Sequence, residues 1–121
     1  MTTRMLVRIS AAIEAATGVA LLVVPDFVAR LLLGAELSAS GIAVARVAGF
    51  GLLSLAIASW PDGDDPFQPA TRALFVYNLL AGLSLGYLRV SGGFSGFLLW
   101  PACAVHLVLA VLFARPAFRT L

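Results

Sequence analysis

Residues 9–24 read ISAAIEAATGVALLVV, an apolar run with a single carboxylate, Glu14, set into it. Extended back to Met5, the run reaches the roughly 20 residues that a helix needs to cross the hydrocarbon layer. A charge near the middle of such a helix costs about 3 kcal/mol on insertion scales, so it calls for an offsetting interaction. The partner expected from the sequence is Arg46, the other charge that falls inside an apolar run. An adjacent guanidinium would make Glu14 a structural group. Without one, the carboxyl is a proton or cation site.

The remaining composition agrees with folding in lipid. Of 121 residues, 61% are hydrophobic and 12% charged, where soluble domains carry about a quarter charged residues. The mean hydropathy is +1.02. The length allows one domain, 1–121. All eight basic residues are Arg, which together with the abundant Ala, Leu, Val and Gly fits a GC-rich bacterial genome. The net charge of +2 comes from Arg near helix ends, so it reads as membrane topology and no nucleic-acid partner is expected. The single cysteine, Cys103, excludes an intrachain disulfide. Arg4 and Arg8 resemble the start of a signal peptide, but Glu14 interrupts the apolar region and no small-residue cleavage site precedes Pro25. The segment is expected to be a retained first helix.

Three further runs reach spanning length, giving helices over approximately 5–24, 41–60, 72–90 and 94–114. The fold class is therefore an all-α membrane protein, a four-transmembrane-helix antiparallel bundle. Residues 26–33 are too short to span. Pro25 suits a first helical turn, Gly34 suits a helix end, and Phe27, Val28, Leu31 and Leu32 share one face, so a short interfacial amphipathic helix is expected there. Ser38 or Ser40 caps the second spanning helix, and Trp60-Pro61 closes it. Asp62, Gly63, Asp64 and Asp65 lack the ligand spacing of a calcium loop and read as a solvated turn. Asp65-Pro66-Phe67-Gln68 reads as a capping box for the third spanning helix. Pro101 is expected to kink the fourth.

Small residues mark the faces where helices approach closely: Gly18 in the first helix, Gly41, Ala45 and Gly49 in the second, Gly82 and Gly86 in the third. The stripe of Asn78, Gly82 and Gly86 is expected to contact another helix, within the chain or from a partner. Glu14 shares its stripe with Ser10, Ala11, Thr17 and Gly18, and His106 shares one with Ala102, Cys103 and Ala110, so both are expected to face inward. Tyr77, Asn78 and His106 are the remaining polar candidates, as helix contacts or as functional groups. A lone histidine is more often a hydrogen-bonded packing residue than a haem ligand, and a bis-histidine haem would need a dimer. No nucleophilic triad, phosphate loop or metal-ligand set is present, so nothing points to an enzyme, no metal is expected and no cofactor is required. Counting Arg on the two sides sets Arg4, Arg8, Arg72, Arg115 and Arg119 against Arg30 and Arg89. Both termini are then cytoplasmic, in a multi-pass protein of the bacterial inner membrane.

The order Glu14, Gly18, Pro25, Leu31-Leu32-Leu33-Gly34 and then Ala45-Arg46-Val47-Ala48-Gly49 resembles small four-helix bacterial membrane proteins of the DoxX-like type. The resemblance lies in layout, and it implies for some members a link to quinone-coupled oxidation. The embedded Glu14 is also similar to the first-helix glutamate of small multidrug resistance transporters. The Pro/Gly/Tyr/Trp signature of that family is missing here, and Arg46 would compete with a cationic substrate. Three functional expectations follow. The first is an accessory or structural subunit that packs with itself or with a larger membrane complex. The others are a dimeric proton-coupled small-molecule transporter using Glu14, and a redox subunit associated with quinone or haem.

Overall fold

The computed structural model describes residues 1–63 and 68–119, which form five helices: α1 Thr3–Val23, α2 Pro25–Leu33, α3 Ala39–Ser59, α4 Gln68–Ser91 and α5 Leu99–Ala117. No strand occurs among the described residues. The helices α1, α3, α4 and α5 are each long and apolar enough to cross a membrane. Their outer surfaces are apolar: Val47, Phe50, Ile57, Leu80, Val108 and Val111 are all exposed. A soluble monomer seldom shows a continuous apolar belt of that extent.

Local chemistry explains most of the boundaries. The Thr2 hydroxyl accepts from the Met5 amide at the start of α1. Ser38 caps α3, its Oγ accepting from the Gly41 amide at 3.1 Å. Pro25 opens α2 where its missing N–H is not needed, and Gly34 closes it at φ 66°, a left-handed conformation that glycine adopts without strain. Asp26 steadies the following connection by accepting from the Leu37 amide at 3.1 Å.

Two helix starts differ from the sequence expectation: α4 begins at Gln68, four residues before the expected 72, and α5 begins at Leu99, five residues after the expected 94. Residues 94–98 do not begin the last spanning helix. Instead, Ser95 N–H donates to the Leu33 carbonyl at 3.3 Å and Leu98 N–H donates to the Leu31 carbonyl at 2.7 Å. The last carbonyls of a helix have no partner within it. Those of α2 take donors from the α4–α5 connection, which moves the start of α5 to Leu99. Pro101 consequently falls in the first turn of α5, a tolerated position, and no mid-helix kink is needed there. The capping box over Asp65–Gln68 and the turn residues Asp64 and Asp65 lie wholly or partly outside the described residues.

The four long helices associate as two tight pairs, α1 with α3 and α4 with α5. In the first pair Gly18 and Gly49 abut. A Cβ at Gly18 would come within 2.9 Å of the Gly49 carbonyl oxygen, and one at Gly49 within 2.8 Å of the Gly18 oxygen. In the second pair Gly82 seats the Leu107 side chain, Gly86 faces Cys103, and the Cys103 thiol donates to the Gly82 carbonyl at 3.3 Å. The Asn78, Gly82 and Gly86 stripe thus meets α5 of the same chain. Gly41 lies against its own capping segment, Leu37 and Ser38.

The two pairs join at one end. There Leu6 and Val7 of α1, Leu74 of α4, and Leu109 and Phe113 of α5 form the core cluster. Gln68 Nε2 donates to the Pro116 carbonyl and Arg72 Nε to that of Ala117, tying the start of α4 to the end of α5. Towards the other end the pairs separate, and α2 with the 92–98 connection lies across the gap.

Candidate functional site

Where the pairs separate they leave a cleft of about 1000 Å³. All five helices line it, and nearly all of the lining is aliphatic or aromatic. The face of α2 made by Phe27, Val28, Leu31 and Leu32 is turned onto this cleft. The polar groups at its wall are few: Thr17, Tyr77 and His106, with Ser84 seven residues beyond Tyr77, about 10 Å along the helix.

Tyr77 and His106 belong to a buried polar network at the junction of the two pairs. Asn78 is its centre and is fully buried. Its Nδ2 donates to Ser10 Oγ at 3.1 Å and to the Leu74 carbonyl at 2.9 Å, while its Oδ1 lies 2.8 Å from His106 Nδ1. The Tyr77 ring meets the imidazole edge to face, with centroids 5.7 Å apart. One asparagine therefore links α1, α4 and α5. Such a residue is costly to bury in an apolar bundle unless each polar atom has a partner, and here each has one.

Glu14 lies one turn from Ser10 and is 0% exposed. Its carboxyl faces the hydroxyls of Tyr77 and Ser10, close enough to interact electrostatically. Neither of its oxygens closes a hydrogen bond of good geometry. It sits behind Tyr77 and does not line the cleft.

The expected Glu14–Arg46 pair is not formed. Arg46 is exposed and lines a separate recess of about 400 Å³ beside Asp26 and Arg30, at the corner between α1 and α2. Helix register is the reason. Gly49 packs against Leu21 and Leu22, which fixes the level of α3 on α1. Arg46 precedes Gly49 and lies beside Val23 and Val24, whereas Glu14 lies seven residues before Leu21. At 1.5 Å per residue that separation is about 10 Å or more along the axis. On the surface Arg30 pairs with Glu36 at 2.9 Å, and both are exposed, so the contact adds little stability.

A double-mutant cycle should reflect this geometry. Arg46→Gln alone should change stability in detergent by less than about 0.5 kcal/mol, as expected for an exposed site. Combined with Glu14→Gln, the effects should add to within about 0.5 kcal/mol, since residues without contact do not couple. A coupling above about 1 kcal/mol would restore the pair.

Of the residues singled out from sequence, Tyr77, Asn78 and His106 come together, with Glu14 adjacent and Arg46 apart. In the sequence Ser10 and Thr17 stand out only as neighbours on the Glu14 stripe, and the part of Ser10 in the network follows from its being a small hydroxyl residue at a helix crossing. The aliphatic cleft wall carried no sequence signal, because its residues resemble any lipid-facing ones. Among the described residues, no group of three His, Cys, Asp or Glu is placed to hold a metal ion. No protein-family model matches the chain, and no curated protein or solved structure is significantly similar to it.

Proposed function

We propose that this chain is a multi-pass protein of the bacterial inner membrane, an antiparallel bundle with both termini cytoplasmic, that takes a lipophilic small molecule from the bilayer into the cleft between its helix pairs. The single observation that carries this reading is the cleft itself, apolar along its length and ending at Tyr77 and His106. Its volume falls at the upper end of the range of small-molecule sites, and a few placed polar groups within apolar walls are the usual composition of such sites. Rim residues Ala48, Gly51, Ser84 and Val105 are exposed along the middle of the spanning helices, so the opening faces the side of the bundle where lipid would lie.

Gly51 supports the same reading. It sits within α3 on the cleft wall, and a Cβ there would find nothing within 4 Å. No helix packs against this position closely enough to demand glycine, and glycine in a helix interior is unfavourable by about 1 kcal/mol relative to alanine. What its hydrogen preserves is space in the cleft.

The test is Gly51→Leu. Stability in detergent should stay level or rise, by up to about 1 kcal/mol, through gained helix propensity. Binding of a lipophilic probe in the cleft, such as an alkylphenol measured in nanodiscs, should fall at least tenfold. Unchanged binding in a folded Gly51→Leu protein would remove the cleft from the function. An accessory-subunit role predicts instead a stoichiometric protein partner after purification in mild detergent, with Gly51→Leu indifferent to it.

A further inference from the structure

We infer that the cleft selects a neutral lipophile whose polar head donates a hydrogen bond, a phenol or alcohol, and that Nε2 of His106 is the acceptor. This deepens, and rests on, the binding role proposed above.

The argument begins at Leu74. Its carbonyl oxygen can only accept, so the Asn78 side-chain atom 2.9 Å away must be the NH₂ group. The same nitrogen donates to Ser10 Oγ. The orientation of the amide is thereby decided, and the atom facing His106 at 2.8 Å is the carbonyl oxygen Oδ1. That oxygen cannot donate, so His106 Nδ1 must carry the hydrogen. A neutral imidazole has one N–H, which leaves Nε2 with a lone pair on a ring that lines the cleft.

The neighbouring polar groups have the same character. Thr17 donates its hydroxyl hydrogen to the Ile13 carbonyl at 2.9 Å, so it can offer the cleft only lone pairs. The Tyr77 hydroxyl lies beside the Glu14 carboxyl, behind the cleft wall, so that carboxyl is the acceptor at hand for its hydrogen although no hydrogen bond of good geometry is closed. Ser84, the other lining hydroxyl, stands about 10 Å further along α4 from Tyr77, away from this end of the cleft. The head end of the cleft is therefore rich in acceptors. A ketone, ester or ether head would set lone pairs against lone pairs, whereas a hydroxyl supplies the missing hydrogen. The apolar walls exclude a charged head, since a charge taken out of water without a counter-charge is strongly disfavoured.

Two measurements on the wild-type protein in nanodiscs test the inference. The first compares nonylphenol with its O-methyl ether, which keeps the ring and tail and loses the donor; both affinities are corrected for partition into empty discs. The phenol should bind about tenfold more tightly, the loss expected when one hydrogen bond is removed. The second uses ¹⁵N-histidine labelling, which gives one residue's signals because the chain has a single histidine. Nδ1 should appear protonated and Nε2 unprotonated, and nonylphenol, but not the ether, should shift the Nε2 resonance.

Equal affinities for phenol and ether would overturn the donor selectivity while leaving the binding role intact. A protonated Nε2, or an Nε2 that ignores bound phenol, would overturn the assignment to His106. If neither probe binds, the binding role itself fails. His106→Phe should equalise the two affinities, and the measurements on the unaltered protein stand even if that variant does not fold.

Discussion

Gly96→Ala should be among the most destabilising single-methyl insertions in the chain, at about 3 kcal/mol. A Cβ at this position would overlap the backbone of Leu32 and crowd the Leu31 carbonyl oxygen. A side-chain neighbour can rotate away from an added methyl, but a helix backbone has no such freedom, which places the cost at the upper end of that for overpacking. Moving the connection away also strains the hydrogen bonds from Ser95 to Leu33 and from Leu98 to Leu31, each contributing about 1 kcal/mol. Gly93→Ala is the control. Gly93 has φ 71° with nothing near its Cβ position, so alanine there meets only the left-handed backbone penalty of about 1–2 kcal/mol. Thermal or denaturant unfolding in detergent should rank Gly96→Ala well below Gly93→Ala. Because α2 forms one wall of the cleft, Gly96→Ala should also weaken probe binding. Equal stabilities would mean that α2 is not held by the 92–98 connection.

Asn78→Leu, close in volume, should cost about 2 kcal/mol. It leaves the His106 Nδ1 hydrogen and the fully buried Ser10 hydroxyl without their shared partner. An unsatisfied buried group costs about 1–3 kcal/mol in soluble proteins, and interhelical hydrogen bonds in membranes average nearer 0.6 kcal/mol, so the value falls between those limits. The effect on selectivity should be larger than the effect on stability. With no acceptor at Nδ1, the imidazole can place its hydrogen on either nitrogen, and the preference for nonylphenol over its ether should shrink towards unity. A stable Asn78→Leu protein with undiminished selectivity would show that the amide does not set the tautomer.

Much of this architecture is legible in the chain alone, because membrane-spanning length and apolarity are local properties. The four long helices, the short helix opened by Pro25 and closed by Gly34, and the cap at Ser38 all follow from residues within a few positions of each boundary. The inward placement of Glu14 and Asn78 follows likewise from the small residues that share their stripes. Residues 94–98 were not legible in this way. They are apolar enough to continue a helix, and only the distant carbonyls of Leu31 and Leu33 draw their amides elsewhere.

The partner of Glu14 was decided by tertiary structure for a related reason. Sequence periodicity states which face of a helix a residue occupies, but not the level at which another helix crosses it. That level is set by the mutual contact of Gly18 and Gly49, which carries Arg46 past the end of α1 and leaves the Glu14 carboxyl with hydroxyl neighbours instead of a cation. The cleft belongs to the same class. The residues on its walls have the composition of a lipid-facing surface, and they enclose space only because the two helix pairs meet at one end and diverge at the other.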